Sequence, residues 1–179
     1  MPGFAGKKQV TQRDALGVGA VYACVNKIAG TIASLPFNVY RVTGDRREID
    51  RTHPAFQLHG EETQPQQTAF QFLETIIAHT LIYGKGYAII QRDRAAVPVS
   101  LSIVHPDDVE AYTDENGVHF AVREFGFVDL ADMFCLSCLH GLSPVRLHAD
   151  SLGTLRNAES FAGDFFANGG QMTGILTSD

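Results

Sequence analysis

Cys135-Leu136-Ser137-Cys138, with His140 two residues on, is the densest run of metal-ligating and nucleophilic side chains in the sequence. Such a pair can hold zinc, exchange disulfides or anchor a haem, and each chemistry demands further residues. A structural zinc site takes about four ligands, commonly two such pairs. Here the remaining cysteine, Cys24, stands alone in an apolar stretch far from the pair. Haem attachment needs histidine directly after the second cysteine, and Leu139 occupies that place. Thioredoxin-like exchange sets its pair at a helix start, whereas an extended apolar pattern runs into this one. The expectation for these thiols is core packing, the common fate of free cysteine.

The other tempting groups resolve in the same way. Gly84-Lys85-Gly86 lacks the spacing and the closing Lys-Ser/Thr of a nucleotide-binding loop, and reads as a helix stop leading into a strand. Gly141-Leu142-Ser143-Pro144 lacks the second glycine of a hydrolase elbow. A capping serine followed by proline at the first helical position accounts for it. The seven histidines show no His-Glu-x-x-His spacing, and His79 falls mid-helix among apolar residues, where a core or interface role is expected. Asp107-Asp108 and Glu61-Glu62 are sequence neighbours whose side chains diverge, so neither is a natural acid–base pair. No nucleophile, base and oxyanion donor stand together. No catalytic residue, metal ligand or cofactor is therefore assigned, and the chain is not expected to be an enzyme.

Composition agrees with one ordinary globular unit: 179 residues, 45% hydrophobic and 19% charged. The net charge of −6 lacks the basic footprint of a tight nucleic-acid binder, and Lys7-Lys8 and Arg46-Arg47 are too short to change that. The most apolar segment, Val18 to Leu35, is broken by Asn26, Lys27, Thr31 and Ser34. It is too polar for a membrane span of about 20 apolar residues. Three cysteines, an odd number, argue against a disulfide framework.

The elements that would carry these residues follow from periodicity and punctuation. Residues 1–14 are polar and expected to be flexible. From 15 to 35, Val21, Cys24, Val25, Ile28, Ile32 and Leu35 share one helical face, and Pro36 ends the run. Phe37 to Val42 and Arg47 to Ile49 form a hairpin around Thr43-Gly44-Asp45. His53-Pro54 opens a short helix, and residues 61–67 form a loop. Thr68 caps a second strong helix, 69–83, which Gly84 ends. Strands follow at 87–90, 101–104, 109–112, 118–123 and 133–138, with Asn116-Gly117 as the sharpest hairpin signal. A long helix runs over 144–168, with Val145, Leu152, Leu155, Phe161 and Phe165 on its apolar face. The expected class is α+β: an antiparallel sheet with hairpins packed against amphipathic helices, and a long C-terminal helix.

That order of segments is familiar. Ala20-Val21-Tyr22-Ala23-Cys24-Val25-Asn26-Lys27-Ile28-Ala29-Gly30-Thr31-Ile32-Ala33-Ser34-Leu35-Pro36 closely resembles the opening helix of HK97-type phage portal proteins, and Phe37 to Arg41 the strand after it. His53-Pro54 with Leu58, Thr68-x-Phe70-x-Phe72, Tyr83-Gly84-x-Gly86-Tyr87-Ala88 and Pro106-Asp107-x-Val109 are similar to later family segments. Gly141-Leu142-Ser143-Pro144 and Phe165-Phe166-Ala167-Asn168-Gly169 complete the series. Family members commonly carry a histidine in the strand before Gly141-Leu142 and a longer loop; here the strand holds Cys135.

The resemblance implies a homo-oligomeric ring, typically of twelve subunits, at one vertex of a phage or prophage head, assembled in the host cytoplasm. Double-stranded DNA passes through it without tight sequence-specific binding. The large terminase subunit, capsid or scaffold proteins and head–tail adaptors are its partners, and no membrane is involved. Residues 15–179 correspond to the wing portion, ending before the stem and clip. A ring needs heterologous contacts, expected on the helices at 15–35 and 144–168, with Lys27, Arg146, Arg156 and Phe165 as candidate interface residues. The competing readings are a small thiol-dependent enzyme using Cys135 or Cys138, and a cellular protein-interaction domain.

Overall fold

Helix α4 (Ala69–Tyr83) and strand β3 (Lys85–Arg92) form the axis on which the other elements are stacked in the computed structural model, which describes residues 11–60, 67–115 and 117–170. Local chemistry sets both ends of α4. Thr68 Oγ1 accepts from Gln71 N at 3.2 Å while Gln71 Oε1 accepts from Thr68 N at 3.1 Å, a reciprocal capping box. Gly84 ends the helix in the left-handed region, φ 91°. Phe72 and Ile76 are fully buried, a contribution of about 1.5–3 kcal/mol each relative to exposure.

Strand β3 is central in a three-stranded antiparallel sheet with β4 (Pro98–Val104) and β8 (Met133–Ser137), in the order β4-β3-β8. Its side chains alternate between two cores, as strand geometry requires. Ala88 faces the helices and packs with Leu101, Phe72, Ile76 and Leu58, the last from α3 (Pro54–Gly60). Tyr87 and Ile89 face the other way, against Val104, Met133, Phe120 and Val122. Phe120 and Val122 belong to a second antiparallel sheet, β5 (Val109–Asp114), β6 (Gly117–Val122) and β7 (Gly126–Asp129). The Tyr87 and Phe120 rings meet edge to face at 5.9 Å, and burial pushes the Tyr87 phenol up to about 12.

Hairpin β1 (Tyr40–Thr43) with β2 (Arg46–Ile49) is exposed along both strands. Arg41 grips Asp50 beside it, Nε at 3.0 Å and Nη2 at 2.7 Å from one carboxylate oxygen.

The architecture is the expected α+β class, with several differences in detail. Helix α2 (Gly19–Ala33) starts later than residue 15, because α1 (Gln12–Ala15) forms a separate capped turn before it. Thr11 to Asp14 are therefore held in place, within the span expected to be flexible. Thr11 Oγ1 donates to Asp14 Oδ2 at 2.7 Å and accepts from Asp14 N at 3.1 Å. The expectation for residues 1–10 and for the loop over 61–66 lies outside the described residues. Strand β7 is an addition to the expected set. The long helix over 144–168 is two helices, α5 (Pro144–Leu147) and α6 (Ala149–Ala167), because His148 leaves helical geometry at φ −105°, ψ 17°.

Core packing, expected for the pair, fails for Cys135, which is exposed, and is only partial for Cys138; Cys24 is exposed as well. Cys24 lies off the face by which α2 docks, and Cys135 sits on the edge strand β8.

Candidate functional site

The expected apolar face of α2 is largely not the buried one. Within α2, Ala29 and Ala33 are the buried residues, and Gly30 lies against Glu74 of α4. Small residues let the two helix backbones approach closely, so they line the internal contact. Ile28 and Ile32, from the expected stripe, remain 44% and 46% exposed. Ile28 joins residues of α4, α5 and the first turn of α6 around an apolar groove of 350 Å³, whose lining includes Val21, Cys24, Leu81, Val145 and Leu152.

A tight junction at the C-terminal end of α4 fixes the direction in which α5 leaves. The buried Ser143 hydroxyl donates to Ile82 O and accepts from Arg146 N at 3.1 Å, so one side chain satisfies a helix C-terminal carbonyl and caps the next helix. Cys138 N donates to Gly84 O at 2.9 Å, and Cys138 Sγ donates to Thr80 O at 3.3 Å. A Cβ on Gly84 would stand 2.5 Å from Gly141 O and 2.8 Å from Ser143 N, so a side chain is excluded there. The Gly-Leu-Ser-Pro sequence thus serves a structural turn. The thiol beside it is bonded to backbone.

Beyond the junction, α6 runs 19 residues without a single buried side chain. Helical geometry groups Leu155, Phe161, Phe165 and Phe166 on one half of it, with Asp150, Asn157, Ser160 and Asp164 on the other. Phe161 and Phe166 are 74% and 75% exposed. The Phe165 and Phe166 rings touch edge to face at 5.7 Å. Arg156 is engaged within the chain, its Nη1 2.9 Å from Asp14 Oδ1, and that hydrogen bond holds the Asp14 carboxyl down to about 2.

The structure places the expected interface residues unequally. Lys27 on α2 and Arg146 on α5 are both exposed and belong to helices that border the groove. Arg156 is turned toward α1, and Phe165 lies far along α6. Phe161 and Phe166 are the most exposed rings of α6, and Phe161 sits on the expected apolar stripe. Their exposure depends on what α6 does not touch, which periodicity cannot report.

Two polar clusters complete the survey. His79, Tyr83 and His105 meet edge to face with ring centroids 4.9 to 5.9 Å apart, and His105 Nε2 lies 3.2 Å from the Tyr83 hydroxyl. Burial, with His105 nearby, pushes the His79 imidazole down to about 4, and its Nδ1 has no hydrogen-bond partner among the described residues. His119 is clamped between Asp114 and Asp129, 3.1 Å from each, and stacks on Tyr112. Among the described residues no group of three or more His, Cys, Asp or Glu side chains is placed to hold a metal, and no helix is long and apolar enough to cross a membrane. Cys135 Sγ faces Ser137 Oγ at 3.8 Å, so neither thiol of the pair has a histidine as its hydrogen-bond partner.

Comparison with known proteins follows the same line. The chain is 25% identical to the portal protein of Enterobacteria phage HK97 over 186 residues, covering 98% of this chain and 44% of the relative. It is also 25% identical to the probable portal protein of Streptomyces phage phiC31, covering 92% and 40%. The chain thus spans less than half the length of these relatives. Its fold is similar to an HK97 family phage portal protein from Corynebacterium diphtheriae, with TM-score 0.65, 19% identity and coverage of 92% of this chain and 52% of that one. A chain from the neck of a native gene transfer agent particle, solved with C12 symmetry, gives TM-score 0.61 at 17% identity, covering 96% and 53%. The family model described as phage portal protein matches residues 19–179, and the chain belongs to that family.

Proposed function

We propose that the chain is the wing portion of a portal subunit: one copy in a ring, of twelve by analogy, at a single vertex of a viral head or a virus-derived particle. The observation that carries this reading is the family match along residues 19–179. Similar particle necks computed with C6 and with C12 symmetry are both compatible with that subunit number. The ring's task is mechanical. It holds an opening at the vertex through which double-stranded DNA is packaged by a separate terminase motor and released toward head–tail adaptors. Assembly takes place in the host cytoplasm before the ring is built into the head.

The charge fits that task. Every basic contact to a phosphate adds an electrostatic grip, whereas this chain carries −6 overall. The chain as a whole thus lacks the basic excess that would grip DNA tightly. No step of covalent chemistry is assigned to the chain; its work is the presentation of surfaces to neighbouring subunits and capsid partners.

Gold-labelled antibody against the chain, applied to intact and gently opened particles, tests the placement. One label cluster per head at a single vertex is expected. Label spread over the shell, or found only in the soluble fraction, would overturn it.

A further inference from the structure

We infer that the apolar half of α6 from one copy of this chain seats in the α2–α4–α5 groove of the next, giving a head-to-tail contact that propagates around the ring. The inference rests on the ring reading above and names the two surfaces that would build it.

The first observation is the pairing of two unlike apolar surfaces on one molecule. Closed rings of identical subunits need two different, complementary patches, because a self-complementary patch stops at a dimer. One patch is concave, lined by Val21, Cys24, Ile28 and Leu81. The other is convex, carried by Phe161, Phe165 and Phe166 at the far end of α6.

The second observation is reach. Leu152, at the start of α6, already borders its own groove. Phe165 lies 13 residues further along a continuous helix, which is about 20 Å of axial rise. A straight helix cannot bring that ring back onto the groove it has just left, so α6 can fill such a groove only on another copy.

The third is charge. The exposed bases on the helices around the groove are Lys27 and Arg146. The second half of α6 carries Glu159 and Asp164, while its one base, Arg156, is committed to Asp14 within the chain. Of the two acids, Glu159 falls beside Phe166 at the edge of the apolar half, so docking brings that carboxylate toward helices that carry Lys27 and Arg146, while Asp164 stays on the outer half.

Cys24 provides the test, being exposed and in the groove lining. In the full chain carrying Cys135→Ser and Cys138→Ser, Phe165→Cys and, separately, Phe161→Cys each place a second thiol on α6. Mild oxidation followed by non-reducing electrophoresis is expected to give a ladder of disulfide-linked multimers with at least one of the two variants, collapsing on reduction. The parent with Cys24 alone is expected to give no ladder. Products ending at a dimer, or a fast-migrating monomer with an internal disulfide, would overturn the contact. Rings visible on grids with no ladder from either variant would retire this contact and leave the ring reading standing. Monomers at every concentration would count against both.

Discussion

Replacing Gly86 with alanine probes the seam between α4 and β3. A Cβ at residue 86 would stand 2.6 Å from Ile76 O and 2.8 Å from Thr80 Oγ1. Ordinary contact begins near 3.5 Å, so the methyl group is about 0.9 Å too close to the first and about 0.7 Å too close to the second. The nearer obstacle is helix backbone, which cannot swing aside as a side-chain tip can. To make room, α4 must lift from β3, and the same turn carries the Thr80 Oγ1 to Ile76 O bond of 2.8 Å and the Cys138 thiol on Thr80 O. Overpacking of a filled core costs about 1–3 kcal/mol, and the strained polar contacts place Gly86→Ala near the upper end. For a chain of this size each kcal/mol shifts Tm by about 2–4 °C, so a fall of about 6–12 °C is expected. Gly163→Ala on α6 is the internal control, because its Cβ meets nothing within 4 Å. There alanine should stabilise by about 0.5–1 kcal/mol through helix propensity. Thermal melts followed by circular dichroism, with urea midpoints as a second measure, read both variants. A Gly86→Ala melt within a degree of the parent would refute the close approach of α4 to β3.

Other consequences follow from the same geometry. Ser143→Ala removes a helix cap and leaves Ile82 O without its donor, so urea unfolding should show a loss of about 2 kcal/mol. Stability should fall as pH drops from about 6.5 to about 4, because the unfolded chain takes up a proton there that the folded His79 refuses. The shift sets a ceiling of about 3 kcal/mol; the ring is only partly covered, and solvent screening brings the figure to about 1–2 kcal/mol. His79→Phe should flatten that part of the pH–stability curve, and an unchanged slope would show that His79 is not its source. In thiol titration of the dissociated chain, Cys24 and Cys135 should react faster than the half-buried Cys138, and Cys24 should become protected on assembly.

Local chemistry was readable in the sequence; the choice of partner surfaces was not. The ends of α4 and the start of α5 were legible because Thr68, Gly84, Ser143 and Pro144 act on their own backbone neighbours. Strand β7 has no sequence signature because it has four residues and Phe127 is 81% exposed, so its strand character comes from pairing with β6. Periodicity identified α2 as a helix and chose the face with the larger residues. The packing instead uses Ala29, Gly30 and Ala33, since close helix contact selects small side chains. Hydrophobic spacing marks a surface for burial without saying whether the burial is within one chain or between copies. The same ambiguity applies to Arg156, an expected interface residue that also pairs with Asp14 within the chain. The break at His148 was hidden because the apolar pattern continues through it from Val145 to Leu152.

The central claim is that this chain builds a portal ring. Its most direct test is electron microscopy of the purified chain with two-dimensional class averages. Closed rings with a central opening and a single rotational symmetry, twelve-fold by analogy, are predicted. Discrete monomers, or two-fold dimers without an opening, would contradict the account.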